Sequence, residues 1–445
     1  MAKISVLVPI FNVETYLEQC LDSLLVQSFQ DIEIICADDG STDHSGAIVD
    51  AYAAKDPRIK VIHKVNTGYG NNMNVALDAA TGDYVAILES DDFAEPYMLE
   101  KLYLAAQESG ADVVKGEYFR YTQKGDEHSD RLVNFPQKEA FSVKEYPHLL
   151  DLADTIWSCL YKREFLEKNN IRFHETPGAS YQDISFALQN WMHAEKVYCI
   201  PEAVLHYRMD NAGSSMNNPD KLYCVFEEYH WAEEKIANVL EKEVGLEQHF
   251  VATKYRDYFN HYHRVAANYQ YVFLQKAAEE FAADRKEGRV CENAFLPSVW
   301  KKLCAMEEDF NLFFKSTAKN MDDLRLRHCA FENDNIYIKA WIDYIKSYPQ
   351  VIVYGAGKIG QRLAEKMSEN GVEVSCFAVT TLADGPEQCM GLPVKEIPQL
   401  AECGKTAVVI IAVASKSQYE MYQTVEKYGF NHVLRVDEIV KNWLK

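Results

Sequence analysis

Short apolar runs alternate with amphipathic stretches through the first half of the chain. Ile4–Val8 reads as a buried strand that Pro9-Ile-Phe-Asn12 breaks. A helix follows from Val13 to Gln27, with Tyr16, Leu17, Cys20, Leu21, Leu24 and Leu25 on one face and Asn12 placed to cap it. Ile32–Ala37 is a second strand, Ser45–Lys55 a helix and Ile59–His63 a third strand. Gly68 to Asn74 reads as a polar turn into a helix ending near Ala80. Tyr84–Leu88 is a fourth strand: the run is too short for a helix and is bounded by polar breakers. Pro96 starts a helix that runs to about Ser109. Ala111–Lys115 and Tyr118–Thr122 read as strands, and Gln123–Pro136 as a polar surface loop. A helix is predicted from Asp183 to about His193, and a strand from Val204 to Arg208. That strand leads into Met209–Pro219, which has the composition of a mobile loop.

This alternation predicts an α/β fold: a mostly parallel sheet with helices on its faces, whose ligands bind outside the carboxyl ends of the strands. The pattern changes at Lys221. From there to about Lys346 charge is mixed with aromatics, glycine nearly vanishes, and apolar residues recur at three and four, which predicts helices. Their aromatic stripes read as helix–helix core ahead of an acceptor groove. Near Tyr348 strands return. Val351–Gly360 is a buried strand running into Gly-x-Gly-x-x-Gly, followed by a helix from Gln361 that Gly371 stops. Val372–Val379 and Ala407–Val413 are further strands, and Ser417–Tyr428 a helix. The expected plan is a first domain over residues 1–219, a helical region over 220–347 and a small Rossmann-like domain over 348–445.

Of the 445 residues, 48% are hydrophobic and 25% charged, as in ordinary globular chains. No run of 18 apolar residues occurs, so no transmembrane helix is expected. The first residues lack a signal-peptide layout. A cytoplasmic location is expected, with contact at the inner face of the membrane left open. The 11 cysteines are scattered without a Cys-x-x-Cys pair, which argues against structural zinc and a disulfide framework. The net charge of −21 repels nucleic acid at long range. An anionic ligand therefore needs local neutralisation, by a metal or by a few placed Lys or Arg residues.

The candidate chemistry sits at strand ends. Glu89, Asp91 and Asp92 crowd the end of the fourth strand. Left alone such acids repel and their pKa values rise; a divalent cation such as Mn2+ or Mg2+ resolves the conflict. Asp38 and Asp39 end the second strand on the same rim.

Taken together, Val8-Pro-Ile-Phe-Asn12, Asp38-Asp-Gly-Ser-Thr-Asp43, the Asn66–Asn74 turn and Glu89-Ser-Asp-Asp92 resemble the signature of the family 2 glycosyltransferases, which have the GT-A fold. The resemblance spans about Lys3 to Asn218. It implies a metal-dependent, inverting transfer from a nucleotide-diphosphate-sugar donor, a UDP-sugar being favoured. The acceptor would be a hydroxyl on a saccharide or lipid-linked molecule, in surface polysaccharide or glycolipid synthesis. The implied donor site comprises Pro9, Asn12, Asp38 on the nucleobase, Asp39 near the ribose, Asn66, Gly68, Asn74, Glu89, Ser90 and Arg208 as a phosphate clamp. The implied metal shell is Asp91, supported by Asp92 and His206, though a core histidine is the commoner outcome. Trp157 could stack on the acceptor sugar or simply fill the core. Asp183 is the implied general base, its plainer role being a helix N-cap. The loop after Arg208 would close over the donor.

Three positions depart from the family pattern. Glu89 stands for an Asp. Met73 stands where Arg is frequent, with Lys64 or Arg208 to compensate. Gln182 stands where Glu is common, removing a charge beside Asp183. In the last domain Gly355, Gly357 and Gly360 could present a helix N-terminus to a phosphate. The next strand ends without the acid that grips a ribose, so NAD is disfavoured and a structural or oligomerising module is favoured. A homo-oligomer is left open. Two alternatives remain: a non-catalytic sugar-nucleotide-binding scaffold, and an NAD(P)-dependent oxidoreductase working through the last domain.

Overall fold

The structure is a computed structural model that describes residues 2–211, 222–265, 269–317, 334–382 and 385–445. The chain divides into two compact units, Met1–Lys254 and Tyr255–Lys445.

The first unit opens with β1 (Ile4–Ile10), α1 (Glu14–Leu25), β2 (Ile32–Asp38), α2 (Ser45–Ala53), β3 (Ile59–His63), α3 (Tyr69–Ala79) and β4 (Tyr84–Ile87). Then come β5 (Phe93–Ala94), α4 (Met98–Ser109), β6 (Val113–Thr122), β7 (Gly125–His128), β8 (Ala140–Phe141), β9 (Cys159–Lys162), α5 (Arg163–Lys168), α6 (Gln182–His193), β10 (Val197–Arg208) and α7 (Cys224–Leu240). The sheet order is β3-β2-β1-β4-β9-β6-β10-β5, with β7 on β6 and β8 on β10. β1 to β4 are parallel, and β9 turns antiparallel against β4. β1, β2 and β4 are buried along their whole length, as expected of strands covered on both faces.

Several boundaries differ from expectation. β1 does not break at Pro9: it runs to Ile10, paired with β2 as far as Asp38. The missing Pro9 donor is tolerated because β4 pairs β1 only up to Leu7. Asn12 does not cap α1; it sits at φ 50° and binds another loop. Asn71 to Asn74 lie inside α3 rather than in a turn. α4 begins at Met98, two residues after Pro96. The two strands predicted over 111–122 are one, β6, and the predicted loop after it contains the hairpin strand β7. The predicted closing loop, Met209–Pro219, lies outside the described residues from 212 onward.

The second unit takes up the later part of α8 (Val244–Tyr262) and holds α9 (Gln270–Lys286), α10 (Pro297–Glu308), α11 (Phe310–Thr317) and α12 (Asp334–Lys346). These precede β11 (Gln350–Tyr354), α13 (Lys358–Glu369), β12 (Cys376–Val379), β13 (Gln388–Cys389), β14 (Leu392–Glu396), β15 (Ala407–Ile411), α14 (Ser415–Lys427), β16 (His432–Arg435) and α15 (Glu438–Leu444). Its sheet order is β13-β14-β12-β11-β15-β16, parallel except for β13. The predicted middle region is not a body of its own. α7 packs on α6 in the first unit, while Ile338, Trp341, Ile342 and Ile345 of α12 share one core with Val351, Val353 and Phe377. The hydrophobic faces of those helices decide which sheet each joins.

Candidate active site

In both sheets, counting parallel strands alone, the strand that follows the first three lies on the far side of the first. This puts a crevice at the carboxyl ends of β1 and β4, where open α/β sheets hold ligands. The loops after β1 and β2 are bound to each other there. Asn12 Oδ1 accepts from Thr42 N at 2.8 Å, and Asn12 N donates to Ser41 Oγ at 3.1 Å. Ser45 Oγ and Asp43 Oδ2 accept from Val13 N and Glu14 N, so the second loop caps α1 in place of Asn12.

Asp38 and Asp39 are buried and already engaged. Asp38 Oδ1 accepts from Ser41 N at 2.9 Å, and Oδ2 lies 2.8 Å from His63 Nδ1. Burial pushes the Asp38 carboxyl up, but Ser41 and His63 hold it below its ordinary value. Asp39 accepts from Thr67 N at 3.0 Å and Gly68 N at 2.9 Å, and from the Lys64 ammonium. The two acids thus shape the loops at the predicted nucleoside end, and Lys64 neutralises Asp39. Met73 is fully buried in the core, so no phosphate-facing charge belongs at that point of α3.

A strap over residues 173–182 carries the predicted base to this crevice, and glycine allows its approach. A Cβ on Gly70 would stand 1.9 Å from His174 O, and one on Gly68, at φ 96°, 2.4 Å from Thr176 O. Tyr69 N donates to Gly178 O at 2.9 Å. Asn74, predicted to touch the donor, instead clips the strap: Oδ1 accepts from Phe173 N, and Nδ2 donates to Phe173 O and Glu175 Oε1. Gln182 closes the strap, donating to Thr176 Oγ1 at 2.7 Å. Asp183 then stands half-buried in the first turn of α6, where Tyr181 rather than Asp183 is the N-cap.

The acids converge. Tyr69 donates to Glu89 Oε1 at 2.6 Å. Burial raises Glu89 to about 8, against the pull of that bond, and Asp91 and Asp183 add to the rise. Asp92 is pushed well above the carboxylate range, by burial first and then by Asp91. Tyr207 of β10 is raised by burial and by Asp92, Asp91, Asp183 and Glu89 together. The carboxyls that do couple to Asp183 come from elsewhere, Glu89 and Glu228 of α7, and both are raised by burial to about 8.

Among the described residues no group of three or more His, Cys, Asp and Glu side chains could hold a metal ion by itself. Asp91 Oδ2 accepts from Asn211 Nδ2 at 2.8 Å. Asp92 is 1% exposed; its Oδ1 accepts from Arg208 N at 2.8 Å and its Oδ2 has no hydrogen-bond partner. Asp92 thus anchors the end of β10 through one oxygen. The oxygen chemistry of Asp91 fits a hard cation completed by phosphate oxygens, the usual way Mg2+ is held.

Other predicted residues have different placements. Both nitrogens of His206 face carboxylates, Nε2 toward Glu95 at 2.8 Å and Nδ1 toward Asp126 at 3.1 Å, while its ring stacks on Phe93. That pairing leaves no nitrogen for a metal. Arg208 donates to Asp91 O at 2.8 Å and Gln19 Oε1 at 2.7 Å, and lies over the rings of Tyr16 and Tyr121. It pins the acidic turn. Trp157 is 5% exposed, stacked on Tyr207 at 4.9 Å with Tyr118 edge-on, so it is core. Ser90 and Pro9 are buried and Asn66 is exposed. The sequence reading missed Tyr69, Tyr207 and Glu228. Tyr69, lying between Gly68 and Gly70, was the one with a local signal.

In the second unit the glycine motif forms as predicted in outline. A Cβ on Gly360 would stand 1.8 Å from Gly355 O, and Gly355, at φ 122°, packs on Ala412 O. Gly357 is the N-cap of α13 and has open space around it. β12 ends without an acid, and Thr380 pairs with the Tyr354 hydroxyl at 2.7 Å.

Residues 5–170 match the family model for Glycosyl transferase family 2. This part of the chain is a family 2 glycosyltransferase domain with the GT-A fold, joined to a Rossmann-like α/β unit. Among curated relatives, an uncharacterized glycosyltransferase EpsJ of Bacillus subtilis is 34% identical over 228 residues, 49% of this chain and 64% of that protein. The glycosyltransferase GlyG of Streptococcus pneumoniae is 42% identical over 143 residues, 32% of this chain and 46% of that protein. The chain thus spans less than two thirds of either relative. Among solved structures, S. aureus TarS aligns with a TM-score of 0.52 at 20% identity, over 72% of this chain and 56% of TarS. TarS 1–349 with UDP-GlcNAc gives 0.51 at 21% identity, over 78% of this chain and 93% of that one. These two show a shared fold.

Proposed function

We propose that the protein is an inverting glycosyltransferase that moves a sugar from a nucleoside-diphosphate donor to a hydroxyl acceptor. The observation that carries this reading is the convergence of Asp91, Asp183, Glu89 and Tyr207 at the carboxyl end of β4. Asp183 is the group that takes the acceptor proton as the hydroxyl attacks the anomeric carbon. Glu89, protonated at neutral pH and held by Tyr69, hydrogen-bonds without adding a second full charge beside the base. The loops pinned by Asp38 and Asp39 form the nucleoside end. Asp91 is the residue that would hold Mn2+ or Mg2+, which when bound supplies Lewis-acid stabilisation of the departing diphosphate. A UDP-sugar is the favoured donor, in keeping with the UDP-GlcNAc held by the TarS structure of the same fold. Surface polysaccharide or glycolipid is the favoured acceptor class. No helix among the described residues is long and apolar enough to cross a membrane.

A screen of UDP-, GDP-, CDP- and dTDP-sugars by thermal shift with and without Mn2+, followed by turnover of the stabilising donor, tests the reading. It requires one donor to shift the melting temperature and to be consumed in an Asp183-dependent manner. A donor that binds but is not turned over by the wild-type protein would favour the non-catalytic scaffold, and equal turnover by Asp183→Asn would remove Asp183 as the base.

A further inference from the structure

Helix α7 lies outside the matched segment 5–170 and carries a buried carboxyl with no part in the transfer chemistry. Glu228 is 1% exposed. Its Oε1 lies 3.0 Å from His174 Nδ1, and its Oε2 has no hydrogen-bond partner. The His174 ring stacks on Trp231 of the same helix at 4.8 Å and 12°. The His174 carbonyl is the atom against which Gly70 packs. One residue is therefore gripped by α7 through its side chain and by α3 through its main chain, near the start of the strap that ends on Asp183. The strap needs such a grip. Tyr181, its penultimate residue, is at φ 67°, a left-handed conformation that is unfavourable for a non-glycine residue.

Burial pushes both members of this pair toward their uncharged forms. It raises Glu228 to about 8, with Ser185 opposing and Asp183 and Glu227 adding to the rise. It also lowers His174, with Lys235 acting in the same direction and Glu227 opposing. A neutral carboxyl donates its proton to a neutral imidazole nitrogen, so no ion pair has to be desolvated.

We propose that the Glu228–His174 bond is a latch by which α7 holds the 173–182 strap, and that Glu228 is a positioning residue for Asp183. The catalytic half of this inference rests on the proposed transferase reading; the latch itself does not. Glu228→Leu removes the donor and Glu228→Gln keeps one, since its amide can still donate to Nδ1. His174→Phe keeps the stacking on Trp231 and removes Nδ1, and serves if Glu228→Leu does not fold. Hydrogen exchange of peptides covering 173–182 in the full chain is expected to speed up about tenfold or more in Glu228→Leu and His174→Phe, and to stay near wild type in Glu228→Gln. On the donor found by the screen, kcat is expected to fall about tenfold or more in the same two variants, with the donor KM within about twofold and Glu228→Gln restoring most of the rate. Unchanged strap exchange in a folded Glu228→Leu or His174→Phe protein overturns the latch. A faster strap with unchanged kcat overturns the positioning role. A wild-type protein that turns over no nucleotide-sugar defeats the transferase reading and leaves the exchange experiment as the judge of the latch.

Discussion

The chain builds the same strand arrangement twice and equips the two copies differently. In the first unit β3-β2-β1-β4, and in the second β14-β12-β11-β15, a parallel sheet reverses direction beside its first strand. Each therefore has a crevice at its strand ends. At the first, carboxyls arrive from β4, α6 and α7, with two tyrosines among them. At the second, glycines let backbones close on one another and β12 ends without an acid. The backbone of such a sheet supplies a place for a ligand. Whether chemistry happens there depends on the side chains that loops and neighbouring helices deliver.

That contrast can be broken most directly at the base. Asp183→Asn is expected to lower kcat by about 10²–10⁴ with little change in donor affinity, measured by single-turnover kinetics and calorimetry. Activity within a few-fold of wild type would remove the chemical distinction between the crevices.

The glycines give the next largest effects, on stability. Gly70→Ala and Gly360→Ala each place a methyl within 2 Å of a carbonyl oxygen, 1.9 and 1.8 Å, and a loss of about 3 kcal/mol is expected in denaturant unfolding. Gly357→Ala meets nothing within 4 Å at an ordinary φ of −78°, and is expected to cost less than about 1 kcal/mol. NAD at millimolar concentration is expected to give no calorimetric signal with the full chain. A signal that Gly357→Ala abolishes would make the second crevice a binding site after all.

A smaller loss, about tenfold in kcat, is expected for Tyr69→Phe, which leaves Glu89 without its buried donor. An unchanged kcat would show that the Tyr69–Glu89 bond has no part in the transfer.

The pH response is the finest test of the first crevice. Glu228 has a folded pKa raised to about 8, so the stability it contributes is complete below its ordinary 4.5 and is lost as pH rises through 8. Glu33 behaves oppositely. Burial pushes it up, but Lys60, Ser5 and Thr81 hold it at about 2, so its contribution is present above 4.5 and is lost as pH falls toward 2. Thermal melts should show Glu228→Gln flattening the alkaline fall and Glu33→Gln flattening the acid one. A fall that keeps its slope in either variant assigns that limb to other groups.

Much of the architecture was legible from pattern. Alternating runs placed β1 to β4, α1, α2 and the β11–α13 turn to within a few residues, because strand and helix periods are local. The misplacements have local causes too. Pro9 looked like a break, but a proline does no harm where the neighbouring strand has already ended. Asn12 looked like a cap, but its left-handed backbone turns its side chain toward residues thirty positions away. Asn74 looked like a ligand contact and is a clip on a segment about a hundred residues further on.

By itself the sequence determined the order of elements, the acids at strand ends and the glycines where backbones must touch, since each follows from neighbours a few positions apart. The tertiary structure decided which of those acids are occupied and which converge. Asp38, Asp39 and Asp92 were taken up by loop and strand anchors, while Glu89 and Asp183 were brought together with Tyr69 across the strap. It also brought in Glu228 from a helix that carried no signal of a site. The reason is physical: a carboxyl's burial, partners and protonation depend on what packs around it, and those atoms come from segments that sequence spacing does not connect.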